Sequence, residues 1–381
     1  WIRKMFEEGE RLRKIHGADA IYDFTLGNPN VEPPPEFAKE FRELALNPLP
    51  GMHRYMSNAG YAESRQAVAE VLAEASGLEV KGAHVIMTCG ASGALNVALK
   101  TILNPGEEVI ILAPYFVDYK SYIDNHGGVP RVVWTDRETF QLDLPAIEAA
   151  INEKTRALLI CSPNNPTGVI YPAASLQKLG EMVQRKEREL ERQIYMISDE
   201  PYARLLYDGV ELPHIFSYFD NSVIVTSHSK DLALPGERIG YLAANPQMTY
   251  VEMFMEGAVV ANRVLGFINA PALMQHLVAK LQRSTVDVEA YQEKRDILYH
   301  YLTEMGFRMI RPAGAFYLFP RSPFADDVEF VKLAQKHHIL LVPGSGFGAP
   351  GFFRIAYCVD KQVIERSLPA WRNLAKEVGM N

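Results

Sequence analysis

Three runs of residues, 157–161, 194–198 and 223–226, are apolar almost from end to end. A strand with one wet face alternates apolar and polar residues, whereas a strand covered on both faces reads as a continuous apolar run. Shorter runs at 83–88 and 108–113 precede them, with 129–135 also extended. Between the runs the spacing predicts helices over 60–76, 92–103, 116–126 and 143–151, the second stopped by Asn104-Pro105-Gly106. Strands that alternate with helices and are buried on both faces form a mainly parallel sheet with right-handed crossovers. The fold class is α/β.

The last third reads differently. Residues 271–305 form one long amphipathic stretch, taken as a single helix leaving the sheet. Short strands at 316–319, 339–342 and 353–357 follow, then a helix over 360–377. This is a smaller α+β unit, joined in space by the first forty residues. A chain of 381 residues is long for one core, so two domains are expected.

Composition excludes several function classes. Thirty-nine basic against 46 acidic residues give a net charge of −7, with no basic block to suit nucleic acid or an anionic membrane. The apolar stretch 109–117 contains Pro114 and is about half of what a spanning helix needs. Cys89, Cys161 and Cys358 form no CxxC pair, which suits a reducing, cytoplasmic setting and no structural zinc. The chain opens at Trp1 with a charged segment, so no signal peptide is read and upstream sequence is expected to be missing.

Ligands of an open α/β sheet bind beyond the carboxyl ends of its strands. After 83–88 comes Cys89-Gly90-Ala91-Ser92-Gly93, a small-residue turn opening a helix. Such a turn caps a helix in most proteins, but its backbone amides also suit an anion. It is neither a P-loop nor a GxGxxG fingerprint. After 157–161 comes Ser162-Pro163-Asn164-Asn165-Pro166-Thr167-Gly168, a rigid turn presenting Asn165. After 194–198 comes Asp199-Glu200-Pro201-Tyr202, a carboxylate that is costly at a buried strand end unless it meets a cation or caps a helix. After 223–226 comes Ser227-His228-Ser229-Lys230, with Arg238 eight residues on. A lone lysine there is usually a solvated surface group. In this company it is an amine for a Schiff base, beside an anion cradle and a carboxylate for a protonated heterocycle. Pyridoxal 5′-phosphate needs all of these at once.

From about residue 20 onward the chain resembles the class I/II aminotransferases, the fold-type I enzymes of the aspartate aminotransferase type. The resemblance is carried by Asn165-Pro166-Thr167-Gly168, Asp199-Glu200-Pro201-Tyr202, Ser227-His228-Ser229-Lys230 with Arg238, and Phe353-Arg354-Ile355. It implies a large domain, 45–270, built on a mainly parallel seven-stranded sheet between helices. The smaller α+β domain would come from 1–44 and 271–381. It implies pyridoxal 5′-phosphate as cofactor, bound by Lys230 as a Schiff base. Asp199 would pair with the ring nitrogen, and Asn165 and Tyr202 with the phenolic oxygen. Gly90, Ala91, Ser92, Ser227 and Arg238 would hold the phosphate, and Phe116 would stack on the ring. Tyr55 would reach the phosphate of a neighbouring subunit, making the protein a homodimer with active sites at the interface. Gly27, Asn165 and Arg354 would hold the substrate carboxylate, Arg354 through its planar fork. Lys230, Asp199 and Tyr202 would carry the catalysis.

The implied reaction is ping-pong transfer of an amino group from an L-amino acid to a 2-oxo acid, 2-oxoglutarate being the expected acceptor. A pyridoxal-dependent C–S β-lyase acting on cystathionine-like substrates would use almost the same residues. A regulator would need a basic helix-turn-helix extension, and a dinucleotide oxidoreductase a GxGxxG; neither is present in these residues. Dicarboxylate-specific relatives often place a second arginine ahead of an Asn-x-Pro segment. Counting back from Asn269-Ala270-Pro271 puts Val264 there, with Arg263 one residue off, so aromatic and aliphatic donors stay open. Gly344-Ser345-Gly346-Phe347-Gly348 is read as a flexible loop beside the site. His337-His338 is read as an exposed helix end without metal-ligand spacing, and Met52, Met56, Met253 and Met255 as interface or core filler.

Overall fold

A computed structural model of the chain describes Gly9, residues 11–15 and residues 17–380; Trp1, at which the chain opens, lies outside them. The strands among these residues are β1 (Tyr22–Asp23), β2 (Val85–Thr88), β3 (Glu108–Ala113), β4 (Val129–Trp134), β5 (Thr155–Cys161) and β6 (Tyr195–Asp199). After them come β7 (Ser222–Ser227), β8 (Gly240–Ala244), β9 (Tyr317–Leu318), β10 (Ile339–Leu340), β11 (Val342–Pro343) and β12 (Phe353–Ala356).

Seven strands form one sheet in the order β2-β8-β7-β6-β5-β3-β4. β3 to β7 pair in parallel, and β8 runs against both β7 and β2. The continuous apolar runs fill two cores at once. Along β5, Leu158 and Ile160 join one cluster with Leu176 and Leu179, while Ala157, Leu159 and Cys161 join another with Leu95 and Phe254. Successive side chains of a strand point to opposite faces, so each run packs a helical layer on each side. Among the described strands only the edge strand β4 leaves valines exposed, Val129 and Val132.

A third core holds Phe24, Phe316, Phe330, Phe353 and Trp371. It lies among β9, β11 and β12, which form an antiparallel sheet, and the parallel pair β1–β10. β1 and β10 come from opposite ends of the chain, and Tyr22 lies opposite Ile339.

The structure changes several expectations. The stretch 271–305 is two helices, Ala272–Lys280 and Val288–Glu304. Asp287 caps the second, its side chain accepting from the Ala290 amide at 3.1 Å. The residues between bond elsewhere: the Val286 amide donates to the Asp231 carbonyl (2.8 Å), and Arg204 donates to the carbonyls of Gln282 and Ser284. The break therefore anchors this segment beside the short helix His228–Asp231, which carries Lys230. The stretch 339–342 is split at Leu341 between two sheets. The glycine-rich segment is a 3₁₀ turn, Gly344–Phe347, rather than a flexible loop; the Gly344 amide donates to Phe352 O (2.7 Å) and that of Ser345 to Asp327 (2.7 Å). β8 was not among the expected strands, and its direction matters for the site. The pair His337-His338 does close a helix, Asp327–Lys336, but is half-buried rather than exposed, with the His337 ring 2.6 Å from Glu377 and that of His338 2.9 Å from Ala20 O.

Candidate active site

A cavity of about 700 Å³ opens at the carboxyl edge of the large sheet, where it meets the smaller one. It is lined by Gly27, Ala91, Ser92, Phe116, Asn165, Asp199, Tyr202, Ser227, Lys230, Arg238 and Arg354 among others. Of the residues expected at the site only Gly90 and Tyr55 are missing from this lining. Gly90 stands directly behind it, as described below. Tyr55 is 90% exposed and is not brought to the cavity of its own chain.

The sheet register explains the assembly. Thr88, Gly240 and Ser227 lie side by side across β2, β8 and β7. The chain leaves β2 and β7 at this edge but enters β8 there, because β8 is reversed. The residues before β8, including Arg238, therefore arrive beside the Gly90 turn. A parallel strand of this length would have put Arg238 at the far edge, roughly 16 Å away. Contact here is close. A Cβ on Gly90 would lie 2.7 Å from Arg238 Nη2, and one on Gly240 would lie 2.9 Å from the Gly90 Cα. Arg238 itself adopts a left-handed backbone (φ 52°) and donates to Pro235 O at 3.0 Å. Ala91 and Ser92 form the first turn of the helix Gly90–Ile102, whose free amides and dipole favour an anion.

Asp199 ends β6 and is buried. Its Oδ2 accepts from the Tyr119 hydroxyl at 2.6 Å, whereas Oδ1 is buried without a partner in the chain. Burial pushes its pKa up to about 7, against the pull of the Tyr119 bond. An unpartnered carboxylate oxygen in a cavity wall is costly and fits a cationic or N–H ligand group.

Lys230 donates to Gly27 O at 2.6 Å. Burial brings its pKa down to about 8, and the Arg354 and Arg238 cations act in the same direction. The ammonium ion loses its hydration there, so the neutral amine is accessible near physiological pH.

Arg354, on β12, is buried between the rings of Tyr317 (4.5 Å) and Phe347 (4.7 Å). Nη1 donates to Asn165 Oδ1 (3.0 Å) and Nη2 to Thr25 O (2.7 Å), while Nε has no partner. Of five N–H groups, three remain for a ligand. Asn165 is placed there by Asn164, whose side chain accepts from Thr167 N (3.1 Å) and Oγ1 (2.8 Å) and so shapes the turn.

Three contributors were not anticipated. Tyr119 bonds Asp199; its one sequence signal is a position three residues after Phe116, against which its ring packs edge-on at 5.5 Å. Tyr317 meets Tyr202 hydroxyl to hydroxyl at 2.8 Å. Phe347 covers Arg354 from the glycine-rich turn.

The cavity fits a phosphorylated pyridine aldehyde. The open Asp199 oxygen suits its ring nitrogen, the first helical amides beside Arg238, against which a Gly90 side chain would collide, suit its phosphate, and Lys230 supplies the amine. Residues 20–370 match the family model of class I and II aminotransferases, and the chain belongs to that family. It is a pyridoxal 5′-phosphate-dependent aminotransferase of fold type I. Among its relatives is a protein of Thermus aquaticus described as a probable aspartate/prephenate aminotransferase. The two are 35% identical over 358 residues, which cover 92% of this chain and 90% of the relative. An aromatic-amino-acid aminotransferase 2 of Thermococcus litoralis is 32% identical, over 99% and 95% of the two chains. The crystal structure of an aminotransferase from Eubacterium rectale superposes with a TM-score of 0.97 at 37% identity, covering 99% of this chain and 96% of the other.

Proposed function

We propose that the cavity seats pyridoxal 5′-phosphate with its aldehyde at Lys230, and that the enzyme moves an amino group from an L-amino acid to 2-oxoglutarate in two half-reactions. The observation that carries this reading is the unpartnered Asp199 oxygen, facing the same cavity as a lysine of lowered pKa and a ring-clamped arginine. Bound there, the cofactor supplies an electron-withdrawing ring that acidifies the substrate's α-proton and carries the amino group between the half-reactions.

The protein's own residues do the rest. Asp199 Oδ1 holds the proton on the ring nitrogen, and Tyr119 keeps the carboxylate turned toward it. Asn165 and Tyr202 donate to the phenolic oxygen, and Phe116 covers a ring face. Gly90, Ala91, Ser92, Ser227 and Arg238 hold the phosphate. Lys230, as a neutral amine, would be the base that takes the α-proton at Nζ and returns it. Arg354, Asn165 and Gly27 bind the substrate carboxylate, the two rings keeping the guanidinium in one plane.

The same reading places residues 45–270 in a cofactor-binding domain, with 1–44 and 271–381 in the smaller one; the helix Ala272–Lys280 is an exception, its Met274, Leu277 and Val278 packing into a core of the large sheet. It also makes the protein a homodimer. On the helix Val251–Val264, Met253, Val260 and Val264 form one exposed apolar stripe, and the exposed Tyr55 is placed to reach a neighbour. The three cysteines are free thiols, which supports a cytoplasmic setting. Among the described residues no helix is long and apolar enough to cross a membrane. Val264 and Arg263 are both exposed and outside the cavity, and its cations are Lys230, Arg238 and Arg354. Among the described residues no arginine besides Arg238 and Arg354 lines the cavity of the same chain, so aromatic and aliphatic donors stay open beside aspartate in this reading, and relatives are named for aspartate, prephenate and aromatic amino acids.

The test is spectroscopic. The cofactor-loaded protein is given single amino acids without any oxo acid. Loss of its visible band with stoichiometric release of a 2-oxo acid is the expected result and ranks the donors; adding 2-oxoglutarate should restore the band. A persistent band with pyruvate and ammonia accumulating would make the protein a lyase, and no band at all would end the reading.

A further inference from the structure

Tyr317 meets several parts of the proposed machinery at once. Its hydroxyl lies 2.8 Å from that of Tyr202, with both rings buried. Its ring lies 4.5 Å from the Arg354 guanidinium. Gly27, whose carbonyl accepts from Lys230, passes so near that a Cβ there would overlap the Tyr317 oxygen. Tyr317 is on β9 of the small sheet, and Tyr202 follows β6 of the large one.

A pair of hydroxyls holds two hydrogens, and only one can lie between the oxygens. If Tyr202 supplies it, Tyr202 presents only lone pairs to the cavity. If Tyr317 supplies it, the Tyr202 hydrogen is free to point outward at an anionic oxygen. Donation into Tyr202 also polarises its own O–H bond, so the second hydrogen bond is strengthened by the first. We infer that Tyr317 is a positioning residue that donates to Tyr202 and so fixes Tyr202 as the donor to the cofactor's phenolic oxygen. This rests on the site reading above, and the experiment separates the two.

A hydrogen bond to the phenolic oxygen stabilises its negative charge, most in the form of the bound cofactor that has lost its titrating proton. Removing that bond therefore raises the pKa at which the visible band of the loaded protein titrates. Tyr202→Phe is expected to raise it by about one unit, a tenfold change. Tyr317→Phe keeps the ring over Arg354 and is expected to raise it by about half a unit, roughly threefold, with donor KM changed less than about twofold. In the Tyr202→Phe background, Tyr317→Phe should add nothing, since its route to the cofactor is gone. Tyr317→Leu, lacking ring and hydroxyl, should show the same pKa rise together with a raised KM.

If Tyr317→Phe shifts the band equally in both backgrounds, or in neither, Tyr317 does not act through Tyr202 and the inference fails. A raised KM with an unmoved pKa would also overturn it, leaving Tyr317 as packing for Arg354. Should Tyr202→Phe itself leave the titration unmoved, the site reading fails first.

Discussion

Burial drives both titratable groups at the centre of the cavity toward neutrality: the Asp199 carboxyl up to about 7 and the Lys230 amine down to about 8. Each shift carries a stability signature in the cofactor-free protein. Between pH ~4 and ~7 the folded state keeps the Asp199 proton that the unfolded chain has released, so stability falls as pH rises through that window. Between ~8 and ~10 the unfolded chain binds a proton that folded Lys230 lacks, so there stability rises with pH. We expect the cofactor-free Asp199→Asn variant to lose less stability than the parent from pH 4 to 7, by at most about 4 kcal/mol. Glu200 is also pushed to about 7 by burial, and the Asp199 charge adds to that rise, so the difference between the melting curves reports Asp199 together with its effect on Glu200. Parallel curves would mean that Asp199 is not held neutral. Tyr119→Phe removes the bond that opposes this rise, and should weaken cofactor binding by roughly tenfold, measured by equilibrium dialysis. At this scale the sequence showed the residues that end strands, because a polar residue after a buried run is visible as a break in pattern. Tyr119 and Tyr317 were hidden since each is an aromatic among aromatics, and only the fold shows which hydroxyl reaches a partner.

The same limit holds among the elements. Strands buried on both faces were legible as apolar runs, and helices opened by a residue such as Asp143 or Asp360 were legible within a residue or two. β8 was not, because Gly240-Tyr241-Leu242-Ala243-Ala244 has no turn signal to separate it from the motif before it, and strand direction leaves no mark on periodicity. The break in 271–305 was missed because it is made by tertiary bonds to Arg204 and Asp231, which override helical spacing. The helix Ala272–Lys280 then packs on Ala62–Ser76, in the layer beside the large sheet. Close packing of β8 yields a sharp prediction. A methyl group on Gly240 would overlap the Thr226 carbonyl oxygen as well as press against Gly90. Gly240→Ala should therefore cost about 1–3 kcal/mol and weaken cofactor retention at least about tenfold. Gly236, where a methyl group would meet nothing within 4 Å, provides the control, and Gly236→Ala should change neither. Equal effects at the two positions in denaturant melts would show that the close approach is not what matters.

For the whole molecule, the proposed second copy would cover the exposed apolar stripe of Met253, Val260 and Val264 and meet the exposed Tyr55. If Tyr55 serves the neighbour's cavity, each site of the dimer takes its lysine from one chain and this tyrosine from the other. Lys230→Ala and Tyr55→Ala homodimers should then both be impaired. Unfolded together and refolded as an equal mixture, they should form about half heterodimers, each with one intact site, and recover about a quarter of the parent activity. Recovery no greater than the sum of the separate variants would place Tyr55 outside the catalytic site. The small sheet enters through the same cavity: Arg354 on β12 reaches Asn165 in the turn after β5 and Thr25 near the N-terminus.

The reversed strand has one more effect. Lys230 and Arg238 lie in a single connection between β7 and β8, closed by bonds from the His228 amide to Ile239 O (3.0 Å) and from the Leu234 amide to His228 O (3.1 Å). They are two grips on one rigid jaw. If Lys230 holds the aldehyde and Arg238 the phosphate as proposed, the distance between the two grips is set by this short, internally bonded loop.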